Sequence, residues 1–149
     1  MKKIIYFLPS ITIMVLIFLA SNDPASGEKS DFITKFIFKI LDEILNTQHT
    51  YSQEMGLSFF IRKMAHITEY ALLSLSIYFG LSKNYNINNE KNIIMSSLFS
   101  IFYAITDEYH QTFIVGRVGT YEDVLIDSIG ILIISLALNK IILRKKTKS

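Results

Sequence analysis

Four apolar blocks, residues 4–20, 57–81, 93–106 and 124–143, alternate with short stretches that hold most of the charge in this chain. A helix rising about 1.5 Å per residue needs roughly 20 residues to cross a hydrocarbon core of about 30 Å. The third block is short by that measure, so its helix is expected to run on through residues 107–111. Half of the 149 residues are hydrophobic, and mean hydropathy is +0.36. Apolar residues gathered into runs, with charges pushed to the gaps, predict an all-α, membrane-embedded four-helix bundle. The expected spans are about 4–20, 57–81, 92–111 and 123–143, in one domain covering residues 1–149.

The gaps carry their own information. Residues 31–46 of the long loop 21–56 place Phe32, Ile33, Phe36, Ile37, Ile40, Leu41, Ile44 and Leu45 at helical spacing, opposite Lys35, Lys39, Asp42 and Glu43. This predicts an additional amphipathic helix lying on the membrane surface or capping the bundle. His49 in the same loop reads as a solvated side chain. The first block has the basic start of a signal peptide, but its apolar run is long and Phe18 is bulky for the position three before a cut after Ala20, so an uncleaved span is expected. Basic residues set the orientation: Lys2 and Lys3, Lys83 and Lys91, and Arg144, Lys145, Lys146 and Lys148 fall on one side of a four-span chain. That side is cytoplasmic by the positive-inside rule, with both termini inside and the 21–56 and 107–122 regions outside. A net charge of +2 argues for no nucleic-acid partner, and the absence of cysteine excludes disulfides and thiolate metal sites. Richness in Ile, Asn and Lys points to a low-GC bacterial genome.

Ionisable groups in spans are costly and are functional by default. Arg62, His66 and Glu69 follow at steps of four and three on one helical face. Asp123 and Asp127 share a face of the last span, with Gly130 below them allowing close backbone approach. Asp107, His110 and Gln111 share a face of the third, with Glu108 turned about 100° away. Counted from the basic ends at ~1.5 Å per residue, these groups reach one depth, ~20–30 Å up their helices. The candidates are His66, Glu69, Asp107, Glu108 and Asp123 for acid–base chemistry, and Arg62, Gln111, Arg117 and Asp127 for holding a substrate. Arginine suits a phosphate or carboxylate, which it grips with two parallel hydrogen bonds. The structural alternative is a set of ion pairs and caps that shape the loops, with Asp123 starting the last helix. His66 with Glu69 makes an acid–base pair or half a metal site. The full pattern calls for a second copy, which the chain lacks, so metal and cofactor stay unassigned.

In their order these residues resemble the VanZ-like family of bacterial membrane proteins. The resemblance rests on Arg62-Lys63-Met64-Ala65-His66 followed by Tyr70, then on Asp107, Glu108, Gln111, Phe113 and Arg117, and on Asp123, Asp127 and Gly130. It covers residues 58–134. Family members often carry Pro-Gly before the arginine and Asn near the Asp127 position; here Val115-Gly116 and Asp127 depart from that. The resemblance implies a cell-envelope setting and reduced susceptibility to the glycopeptide teicoplanin, by a route independent of altered peptidoglycan precursors. It implies no mechanism. Three functions compete: modifying or binding an envelope lipid or polymer at the outer leaflet, scaffolding or antibiotic binding without catalysis, and proton- or cation-coupled transport. The bilayer is the expected partner, and oligomeric state is left open.

Overall fold

The computed structural model describes residues 3–147. Lys2 and Lys148, counted above among the basic flanks, lie outside the described residues, as does the side chain of Lys146. The described chain is all helix with no strand: a 3-10 turn at Ile4–Phe7, then α1 (Leu8–Ser21), α2 (Ser26–Leu45), α3 (Tyr51–Asn84), α4 (Asn89–Gln111) and α5 (Tyr121–Lys146).

Local chemistry moves the boundaries away from the apolar blocks. The α-helix begins at Leu8 rather than at residue 4 because Pro9 sits in its first turn, where a missing N–H costs nothing. Helix α3 starts at Tyr51, ahead of the apolar run, because Thr50 and Gln53 form a capping box. Asn46, in the left-handed region at φ 51°, closes α2. Thr120 caps α5 by accepting the N–H of Asp123, so Asp123 stands in the first turn and the cap belongs to the threonine.

Helix α3 is the hub, packing against α1, α2, α4 and α5, while α4 also packs on α5. Ile17, Tyr70, Leu73, Ile77, Leu81, Ala104 and Ile131 form the buried apolar cluster. At Gly130 a Cβ would overlap the Ile67 carbonyl, so glycine is what lets α5 lie against the α3 backbone.

The distribution of polarity is inverted relative to a water-soluble domain. Among the described residues more polar side chains than apolar ones are buried, including Ser74, Ser96, Ser100, Asn92, Asp107 and Asp127. Outside, Phe59, Phe60, Leu98, Phe102, Leu132 and Leu136 stand exposed. Three buried serines donate within their own helix, Ser76 to Leu73 O, Ser96 to Ile93 O and Ser100 to Ser96 O, at 2.8–2.9 Å, while Ser74 Oγ has no hydrogen-bond partner among the described residues. Between helices, Ser97 of α4 and Ser135 of α5 bring their Oγ atoms to 2.8 Å. Two segments, Ile4–Ser21 and Tyr121–Lys145, are long and apolar enough to cross a membrane. Only 17% and 22% of those windows is buried, so neither is the enclosed core helix of a soluble fold.

Candidate functional site

The C-terminal ends of α1 and α4 and the N-terminal halves of α3 and α5 meet at one end of the bundle, and the ionisable residues collect there. On α4, Asp107, Glu108 and Gln111 are all buried. Gln111 Nε2 donates to Asp107 Oδ2 and to Glu108 Oε1, both at 2.9 Å. Ser21, the last residue of α1, donates to the same Asp107 oxygen at 2.9 Å. The Thr120 N–H donates to Glu108 Oε2 at 3.0 Å. At Gly119 a Cβ would overlap the Glu108 carbonyl, so the loop into α5 can lie on the end of α4 only with glycine there.

Glu108, about 100° round the helix from Asp107, thus lies in the cluster with it. Helix α4 is flanked by α3 on one side and α5 on the other, so two successive positions about 100° apart both face protein. His110 is the residue that leaves the group: it stacks on Phe18 at 5.1 Å, with Nε2 3.1 Å from Asn22 Oδ1.

At the centre, Asp127 is 0% exposed and lies opposite His66 across the α3–α5 contact that Gly130 permits. Its Oδ1 is 3.2 Å from His66 Nδ1, near enough for an ion pair. The angles are poor, however, and neither Asp127 oxygen nor His66 Nδ1 makes a hydrogen bond among the described residues. Distance here marks proximity, and the geometry leaves the carboxylate unsatisfied. Glu108 completes a trio with them, one ligating atom from each lying within 4.8 Å of the others.

Two cavities adjoin this centre. One, of about 200 Å³, is walled by Arg62, Lys63, His66, Gln111, Arg117 and Asp123; the other, of about 240 Å³, by Ser21, Ser30, Arg62, His66, Glu69 and Arg117. Arg62, His66 and Arg117 are common to both. Arg117 follows a turn in which its N–H donates to Ile114 O at 3.1 Å with Gly116 at φ 83°, the hydrogen bond and glycine of a type II turn. Val115 sits where that turn accepts proline, so the departure from Pro-Gly leaves the loop shape intact. Asp123 is committed elsewhere, in a close ion pair with Lys63.

A model of the VanZ/LLP1 family matches residues 6–143. The chain belongs to that family. No curated protein and no solved structure matches it. Family membership and the two apolar helices are consistent with a membrane protein. In this VanZ/LLP1 member the contributions hidden from sequence reasoning are Ser21 and Thr120, and the pairing of Lys63 with Asp123. Each acts by a tertiary contact; the only sequence signal was small or basic residues at the ends of apolar runs.

His49 is also more than solvated. Its Nδ1 lies 2.5 Å from Asp42 Oδ2, its Nε2 3.7 Å from Glu54, and its ring stacks on Phe38 at 4.3 Å. That contact ties the end of α2 to the start of α3, and the hydrogen bond from His49 holds the Asp42 carboxyl below the usual carboxylate range.

Proposed function

We propose that this VanZ/LLP1 protein is a four-span protein of the bacterial plasma membrane that binds an anionic envelope lipid or polymer at its outer face. The spans are α1, α3, α4 and α5, with α2 on the outer surface. Both termini are cytoplasmic, as Lys3, Lys83, Lys91, Arg144 and Lys145 gather at the end opposite the site. The observation that carries the reading is the pair of adjoining cavities sharing Arg62, His66 and Arg117. Two guanidinium groups beside a histidine make a receptor for a phosphate or carboxylate, with a proton-transfer group next to it. His66 is the acid–base residue, with Glu69 and Asp107 as supporting carboxylates, and Gln111 sets the α4 side of the site. Ile33 of α2 and Ile61 of α3 line one cavity, apolar walls suited to a lipid-linked substrate approaching from the bilayer. The cellular consequence is lowered glycopeptide susceptibility. A carrier is disfavoured: among the described residues, the buried groups towards the opposite end are serines, Asn92 and aliphatics, with no ionisable relay.

The test compares envelope lipids and cell wall in the host, its deletion strain, and the deletion complemented with wild type, Arg117→Gln or Asp107→Asn. One component that changes on deletion, and that wild type but neither variant restores, supports the reading and identifies the substrate class. An unchanged envelope, with antibiotic binding at the cell surface still altered, replaces it with a non-catalytic scaffold or antibiotic-binding protein.

A further inference from the structure

We propose that His66, Glu108 and Asp127 form a binding site for one divalent cation, of the Zn²⁺ or Mn²⁺ class. This goes beyond the anion-binding reading and does not depend on it; with the cation bound, His66 acts as a ligand in place of an acid–base residue, and proton transfer passes to water on the ion.

Two independent observations converge. The first is spatial: three helices deliver one imidazole and two carboxylates so that a ligating atom of each lies within 4.8 Å of the others. Bonds of about 2.0–2.2 Å to a common ion bring such atoms to ~4 Å or closer. The 3.2 Å between His66 Nδ1 and Asp127 Oδ1 already meets that, leaving only a small inward turn of Glu108. The second is the state of Asp127. It is 0% exposed, aimed into the trio, and neither of its oxygens receives a hydrogen bond among the described residues. A buried carboxylate without a donor is among the most expensive arrangements a fold can hold. A proton shared with His66 would serve one oxygen and leave the other bare. A cation serves the carboxylate as a whole and brings in Glu108 as well. Two carboxylates and a neutral imidazole sum to a charge of −2, which one divalent ion cancels.

The surroundings match those of a metal site. Gln111 donates to Glu108 Oε1 and the Thr120 N–H to Oε2, fixing the carboxylate from behind as outer partners of metal ligands do. Gly130 sets the α3–α5 distance on which the His66–Asp127 approach depends. His66 also lines both cavities, so water or an oxygen of a bound anion has access to the remaining coordination positions. One nitrogen and two carboxylates favour Zn²⁺ or Mn²⁺ over Mg²⁺, which keeps its waters and prefers all-oxygen sites.

The full chain, purified in detergent, is stripped with chelator, dialysed against Zn²⁺ or Mn²⁺ and analysed for bound metal. Wild type is expected to hold one ion per chain. Asp127→Asn and His66→Gln, checked for helix content and elution volume, are expected to bind at least ~100-fold more weakly, and Gln111→Ala about 10-fold more weakly. Asp42→Asn, in the α2–α3 clip away from the site, is expected to bind as wild type does. Wild type that binds neither ion, or Asp127→Asn that binds as wild type does, overturns the proposal. Co²⁺ loading gives a readout independent of variant folding: ligand-field absorption from a nitrogen–oxygen site in wild type supports it, and a spectrum indistinguishable from aqueous Co²⁺ overturns it. Bound metal is counted without reference to the envelope, so failure of the lipid comparison leaves this result standing.

Discussion

The molecule holds two histidine–aspartate pairs, and they are built differently. At the α2–α3 junction His49 and Asp42 meet at 2.5 Å, stacked on Phe38 and about a quarter exposed. Between α3 and α5 His66 and Asp127 stand 3.2 Å apart in poor alignment, with the aspartate fully enclosed. The first pair is satisfied and accessible to water, as a structural clip should be. The second is enclosed and incomplete, beside two cavities with arginine in their walls. The same two residue types thus serve anchoring in one place and chemistry in the other, and the difference lies in solvent access and in what else the carboxylate can bond.

The contrast can be broken most forcefully at His66. His66→Ala leaves the enclosed Asp127 carboxylate with no imidazole facing it across the helix contact, a loss of about 3–5 kcal/mol, as for a buried charge stripped of its partner. Thermal unfolding in detergent reads it, and a melting temperature equal to wild type would erase the distinction between the pairs. Gly130→Ala tests the spacing rather than the charge. Its Cβ must displace the Ile67 carbonyl, costing about 3 kcal/mol, the upper end of ordinary overpacking, and moving His66 away from Asp127. Gln111→Leu removes the donor shared by Asp107 and Glu108, with an expected loss of about 2 kcal/mol. Destabilisation by any of these should come with loss of whatever the site binds.

The surface pair sharpens the comparison from the other side. His49→Ala should leave unfolding of the bundle unchanged and raise amide exchange only around residues 46–50. Because His49 holds the Asp42 carboxyl below its usual range, the clip favours the ionised carboxylate. Its contribution is complete above the ordinary aspartate range and is lost as pH falls through the lower folded value. The protection factor at 46–50 should therefore hold from neutral pH down to the ordinary aspartate range and fall progressively below it. A protection factor that falls well above the ordinary aspartate range, or does not fall at all, would remove the clip from the picture.

Much of this architecture was legible in the sequence because it depends on period and length. Blocks of apolar residues foretold long helices, and the spacing from Phe32 to Leu45 foretold α2. Counting residues from the basic ends brought Glu69, Asp107 and Asp127 to one level, and the structure gathers their side chains at one end of the bundle. Azimuth was less legible. Glu108 was set about 100° from the face shared by Asp107 and Gln111, yet a helix with neighbours on two sides buries adjacent positions, and all three lie together in the cluster. Pairing was not legible at all. Nothing local distinguishes Asp123, tied to Lys63, from Asp127, left bare, or shows that Ser21 would reach Asp107. Those partners are chosen by helix packing, and packing here turns on Gly119 and Gly130, whose missing side chains carry no hydrophobic signal.

The serines that bond to carbonyls of their own helix carry a consequence for how the protein is made. A hydroxyl already satisfied within its helix adds little to the cost of placing that helix alone in lipid. On the proposed four-span reading, Ser76, Ser96 and Ser100 would bring their hydroxyls into lipid already bonded within α3 and α4. The carboxylates at the other end are met only in part by Gln111 of their own helix, and take further donors from Ser21 of α1 and from the loop before α5. Assembly on that four-span reading would be ordered: these hydroxyls enter with their own helices, and the carboxylate-bearing ends are completed only when α1 and the loop before α5 are in place.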